Sequence, residues 1–297
     1  MFERTIASWR GHGLRPWTVL NRVRKDFRRR DHLDAFSAQY AYYGLLVIPP
    51  ILILIIHAAS KLPWEGLLDS LIRGASDSMP AQARDIIVSQ IEDMRGDRSD
   101  SLLYMAIAVF ALAGWRLVRT IGSGLNSAYG VEESRPWYMR WTISLVLVLV
   151  AFLAILAALV LTVVGADIEH FVVEELDITE MSAALSGTLR WAMAVFLVLL
   201  SASTIYWVVP SVRLHWVLLS PGSVFAAIGW IALSSGFRIY KDNFNRFNET
   251  YGALGGVIVL LAWLYLSGVV LFVGGKINAI LHERAVEVGD DEEAEVV

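Results

Sequence analysis

From Tyr251 to Gly275 the chain carries no charged side chain; the stretch YGALGGVIVLLAWLYLSGVVLFVGGKIN, residues 251–278, opens on a glycine cluster and closes on Lys276 and Asn278. A hydrocarbon core about 30 Å thick is crossed by ~20 helical residues at 1.5 Å each, so a run of this length reads as a transmembrane helix. The bilayer is then the solvent, and a spanning backbone must satisfy its own polar groups. Composition agrees: 56% of the 297 residues are hydrophobic and 18% charged, against about 45–50% and 25% in soluble domains. There is no cysteine, which removes disulfides, thiolate metal sites and a cysteine nucleophile.

Five further uncharged runs qualify, at residues 35–59, 101–115, 141–164, 191–209 and 217–237. The second is short, and its helix is expected to continue to about Asn126, with Arg116 and Arg119 snorkelling to the interface or facing protein. The fold class expected is all-α: a polytopic membrane bundle of six transmembrane helices over residues 35–280. The N-terminus lacks the continuous apolar region of a signal peptide.

Lys and Arg in the short flanking segments set orientation. Residues 1–36 carry nine of them, the 116–140 connection carries Arg116, Arg119, Arg135 and Arg140, and the 166–187 connection carries none beside six acids. Both termini are therefore expected in the cytoplasm of a bacterial inner membrane. The 238–250 loop, with Arg238, Lys241 and Arg246 against Arg213 alone in the opposing loop, pulls the other way, leaving five of six crossings in agreement.

Residues 1–34 form a basic cytoplasmic segment in which Trp17, Leu20, Val23 and Phe27 fall at helical spacing among six Lys/Arg from Arg22 to Arg30. This predicts an amphipathic helix on the anionic leaflet. Residues 60–100 hold two short helical signals, after Pro63 and after Pro80, and are expected to form a small extracytoplasmic hairpin. Residues 281–297 are an acidic cytoplasmic tail expected to be disordered at its end.

Pro49 and Pro50 in the first span and Pro221-Gly222 near the start of the fifth are candidate helix breaks, since proline removes a backbone donor. Gly252, Gly255 and Gly256 offer a close-packing seam. No Asp or Glu falls inside the six runs, which argues against a carrier built on buried carboxylates. The six histidines are scattered singly, without metal-ligand spacing. No catalytic residue, metal site or cofactor is assigned, and no enzyme activity is expected.

SAQYAYYGLLVIPP, LNSAYGVEESRPW, VPSVRLHW and ETYGALGGVIVLLAWLYLSGVVLFVGGKINA resemble, in order and over nearly the whole chain, the YihY/BrkB family of bacterial inner-membrane proteins. The resemblance implies a six-helix inner-membrane protein. It also brings conflicting labels, a former ribonuclease BN assignment among them, and links to serum resistance or lipopolysaccharide-lipid export, but no catalytic site to carry over. Where members commonly have an acid in a GAELNA-like ending, this chain has Lys276.

These features lead to a transporter or flippase-like protein for a lipid or envelope precursor. Arg116, Arg119, Arg213 and Lys276 are the candidate headgroup cations, because guanidinium and ammonium groups hold phosphate while acyl chains stay in lipid. Membrane lipids are the expected partners, with a homo-oligomer allowed and no nucleic acid. The alternative is a non-enzymatic scaffold for envelope assembly; a ribonuclease is the least supported reading, since paired acid and base groups are missing.

Overall fold

The computed structural model describes residues 16–29, 31–61, 100–176, 181–212, 214–243 and 253–294. Among these, regular structure consists of seven α-helices: α1 (Pro16–Arg29), α2 (Leu33–Lys61), α3 (Asp100–Tyr129), α4 (Trp137–Leu176), α5 (Met181–Val208), α6 (Pro221–Asn243) and α7 (Ala253–Ala294). Four of them contain stretches long and apolar enough to cross a membrane: Leu33–Ile55, Ser101–Tyr129, Trp137–Leu156 and Gly255–Val286. Val195–Val208 in α5 and Pro221–Phe237 in α6 are shorter apolar stretches.

The chain runs up and down, so the start of α2, the end of α3, the start of α4, the end of α5, the start of α6 and the Lys276 turn of α7 lie at one end of the bundle. α2, α3 and α7 pack on one another at the centre; α4 lies on α3, α6 on α7, and α5 on α6. The core at this end joins Leu33, Leu125, Tyr206, Val209, Ala226 and Phe272 from five helices. Phe272 is fully buried because Gly124 on α3 leaves room for its ring, whose Cζ would stand 2.8 Å from any Cβ added there. Elsewhere apolar side chains face outward: Leu145, Val146, Leu149, Val150 and Leu153 on α4 are exposed. Such a face would drive aggregation in water and is ordinary against lipid.

Several elements differ from the sequence reading. Pro49 and Pro50 do not interrupt α2, which is helical from Leu33 to Lys61. The prolines deprive only the Leu45 and Leu46 carbonyls of partners, and the remaining ladder carries the helix through. Pro221 does not break a helix but begins one, at the first helical position, where its missing N–H is no loss. Among the described residues nothing lies within 4 Å of a Cβ built on Gly256; Gly255 is buried, and Gly252 lies outside the described residues. α4 extends to Leu176, into the segment read as an outer loop, and the acidic segment read as disordered is helical as far as Ala294. Residues 62–99, the body of the expected hairpin, lie outside the described residues.

α1 forms where the amphipathic spacing places it, with Pro16 in its first turn. It packs on α7 and α2: Val23 is buried and Phe27 lies against the core. Val23 and Phe27 are thus spent on protein rather than on the leaflet.

Candidate functional site

Helix ends leave backbone groups without intrahelical partners, and at the closed end of this bundle those orphans organise the polar side chains. α3 terminates with Gly130 at φ +68°, Val131 N–H donating to the Asn126 carbonyl at 3.0 Å and Gly130 N–H to that of Ser127 at 3.1 Å. This left-handed glycine closure satisfies two carbonyls and leaves that of Ala128 free. Lys276 Nζ takes it at 3.1 Å. The same ammonium meets Asp31 Oδ2 at 2.7 Å and Asp26 Oδ2 at 3.5 Å. Lys276 and Asp31 are 6% and 3% exposed, so the charges share a site from which water is nearly excluded. The ammonium's hydrogen bond goes to the Ala128 carbonyl, and the two carboxylates meet it as ion-pair contacts.

The chain of charges continues outward. Asp26 lies 3.9 Å from Arg22 Nε one turn back on α1, and Arg22 Nη2 donates to Glu283 Oε2 on α7 at 2.7 Å. Asp31, Lys276, Asp26, Arg22 and Glu283 therefore alternate in sign along the α1–α7 contact. Ser127 Oγ donates to the Asp31 carbonyl at 2.8 Å, tying the α1–α2 corner to α3.

Two further clasps close this end. Asn126 accepts from Ser211 N–H at 2.7 Å through Oδ1 and donates to Glu133 at 3.2 Å, while Ser211 Oγ donates to Glu133 at 2.5 Å. Arg135 donates to the carbonyls of Val209 and Pro210, 3.2 and 2.6 Å away, just past the end of α5. A cation there also opposes the negative end of the helix dipole. At the start of α6, Ser220 Oγ accepts from Ser223 N–H at 3.1 Å, and Asn278 of α7 accepts the Gly222 N–H at 2.8 Å while donating to Ser220 Oγ at 3.0 Å. Replacing Asn126 by alanine strands the Ser211 N–H and loosens the α3–α5 clasp. We expect a loss of about 1–3 kcal/mol, read as an earlier denaturation midpoint of the purified protein with its helical content unchanged.

Of the four candidate headgroup cations, the three that are described are not brought together. Lys276 is buried and engaged, so it neither snorkels nor faces lipid; its counter-ions Asp31 and Asp26 come from the N-terminal segment. Arg213 lies outside the described residues. Arg116 and Arg119 are exposed on α3, with guanidinium carbons 5.0 and 5.5 Å from the Trp115 ring centre. Trp115 in turn stacks on Trp141 of α4, ring centres 4.2 Å apart. Among the described residues neither arginine meets a carboxylate. They lie roughly 18 and 13 Å from Ala128 along α3, counting 1.5 Å per residue, and so belong to a separate locus. Exposed Trp137 and Tyr138 begin α4 beside it in sequence, aromatic residues of the kind that settle at a membrane–water interface.

Sequence reasoning missed Asp26 and Asp31. The signal was available: a lysine closing an apolar span needs a counter-ion once buried, and acids sit immediately before the first span. Asn126, Ser211, Lys276 and Asn278 lie within the quoted LNSAYG, VPSVRLHW and GGKINA segments. Among the described residues no three His, Asp or Glu side chains converge as a metal ion requires.

A family model described as virulence factor BrkB matches residues 26–296. The chain is 32% identical over 248 residues to a protein of Bacillus subtilis (strain 168) named as ribonuclease-like, YfkH, with 84% of this chain and 90% of that one covered. It is 24% identical over 255 residues to a UPF0761 membrane protein of Tolumonas auensis, covering 85% and 82%. To a UPF0761 membrane protein of Halorhodospira halophila it is 26% identical over 275 residues, covering 89% of this chain and 57% of that one. No solved structure matches the chain.

Proposed function

The chain belongs to the virulence factor BrkB family of membrane proteins, and on that premise we propose that it is a non-enzymatic lipid-handling protein of the bacterial inner membrane, a transporter or flippase for an anionic amphipathic lipid. It crosses six times with both termini in the cytoplasm, α5 and α6 supplying the two shorter crossings. The closed polar end is the cytoplasmic one, in accord with the nine Lys/Arg of residues 1–36.

The observation that carries this reading is the Arg116–Trp115–Arg119 locus. Two guanidiniums without carboxylate partners among the described residues stand over an indole on a helix otherwise fitted for lipid. A cation held over a ring keeps its charge and its donors, and guanidinium donors in a planar fork match phosphate oxygens. A lipid phosphate fits this locus while its acyl chains remain along the apolar surface of α3 and α4. The ribonuclease-like name of the Bacillus relative supplies no residues here: the acids and the lysine of the closed end are engaged with one another.

The test is reconstitution. Wild-type protein in vesicles containing anionic phospholipid should retain that lipid through purification and speed exchange of a headgroup-labelled lipid between leaflets. Arg116→Gln with Arg119→Gln should fold normally and lose about tenfold or more in both, corresponding to ~1.4 kcal/mol. Wild-type protein that neither retains nor moves lipid would sink the reading.

A further inference from the structure

α1 is the one described helix at this end that belongs to no apolar span. It touches α7 and α2 through Val23 and Phe27 and through two charged rungs, Arg22–Glu283 and Asp26–Lys276. It joins α2 through a tight corner in which the Asp31 N–H donates to the Asp26 carbonyl at 2.9 Å and His32 adopts φ 50°, a left-handed conformation uncommon outside glycine. On its free side Arg24 and Lys25 are exposed.

We propose that α1 is a lid over the cytoplasmic end of the bundle, latched by the alternating charges Asp31–Lys276–Asp26–Arg22–Glu283 and free to swing onto the anionic leaflet. The inference deepens the lipid-handling reading and rests on it for what passes beneath the lid. Three features support it. Phe27 lies against the core cluster that joins α2, α3, α5, α6 and α7, so lifting α1 uncovers the point where those helices meet. The rungs are graded: Lys276 and Asp31 are buried, whereas Arg22 and Glu283 are part-exposed at 34% and 49% of their side chains, so water and ions reach the outer rung first. The cations of α1 have two attractive settings, the carboxylates of the latch and the negative leaflet, which gives the helix two resting places. Groups facing the latch from neighbouring elements are the Ala128 carbonyl of α3 and Ser127, whose hydroxyl holds the Asp31 carbonyl.

The absence of native cysteine makes the lid measurable in the full-length protein. Val23→Cys, on the buried face of α1, should react with a bulky maleimide at least tenfold more slowly than Arg24→Cys on the exposed face. Arg22→Gln added to Val23→Cys removes the outer rung and should raise its reactivity about fivefold or more; Arg22→Lys, which keeps a cation beside Asp26 and Glu283, should leave it near the slow rate. Lys276→Gln, which removes the inner rung, should raise reactivity further where the variant folds. Equal rates for Val23→Cys and Arg24→Cys in the intact protein, or rates unmoved by removal of the outer rung, would overturn the proposal. In a second arm, Arg22→Cys and Glu283→Cys joined by a short cleavable bismaleimide should halt lipid movement in vesicles while lipid retention persists, with recovery on cleavage. Undiminished movement in the cross-linked protein would equally overturn it. Because the reactivity measurement involves no lipid, it decides the latch even where lipid movement fails.

Discussion

Replacing Lys276 by methionine is expected to cost about 3–5 kcal/mol, the largest effect of any single side chain at the closed end. The two side chains are similar in length, so little packing is lost. The cost falls on Asp31, whose carboxylate is only 4% exposed and loses the ammonium 2.7 Å away. Asp26 suffers less, being 16% exposed with Arg22 still 3.9 Å off. A snorkelling lysine at an interface would instead be replaced within about 0.5 kcal/mol, as surface substitutions are. The two accounts therefore differ several-fold in one measurement, the denaturation midpoint of detergent-purified protein. Asp31→Asn added to Lys276→Met should recover most of the loss, because an uncharged pair of similar shape leaves no buried ion. A full-strength Lys276→Met protein would mean that the ion pair carries no weight.

Gly222→Ala should be nearly as damaging. A Cβ at Gly222 would press on the Gly274 backbone carbonyl and approach Asn278 Cγ at 2.6 Å. Backbone cannot rotate aside, so α6 must withdraw from α7, taking with it the Asn278 cap on the Gly222 N–H. Overpacking costs about 1–3 kcal/mol where side chains can adjust and more where backbone must move; we expect about 3 kcal/mol and a sharp drop in monodisperse yield. Gly256→Ala is the control. Nothing stands within 4 Å of its Cβ, and alanine is favoured over glycine inside a helix by about 1 kcal/mol, so that protein should be unchanged or slightly steadier. The reverse ranking would restore the seam read from the glycine spacing at the start of α7.

This pair of glycines shows how far the pattern was legible. Gly-xxx-Gly spacing marks helices able to approach closely, but every turn of α7 presents a different neighbour. α7 meets α6 at Gly222 and Gly274, about half a turn from Lys276, and among the described residues not at Gly256. Pro49-Pro50 and Pro221 show the same limit. Proline removes one donor wherever it stands, yet its consequence depends on where the chain already lacks one: Pro221 occupies a helix start, and α2 carries its two prolines without interruption.

What could be read along the chain was whatever depends on local composition: the solvent, the apolar stretches, the amphipathic spacing of α1, the end of α3 near Asn126, and the segments that mark the family. Hydrophobicity over ~20 residues is a one-dimensional property, and a bilayer responds to it directly. The fate of Lys276 was not of that kind. Asp26 and Asp31 stand some 250 residues away in sequence, and nothing in spacing or propensity pairs them with it; burial does, because an ammonium shut away from water must find a carboxylate and a free carbonyl or not be buried at all. Folding the helices up and down brought the N-terminal acids, the orphan carbonyl of α3 and the lysine of α7 to one end of the bundle, and there turned an expected headgroup cation into the centre of an internal latch.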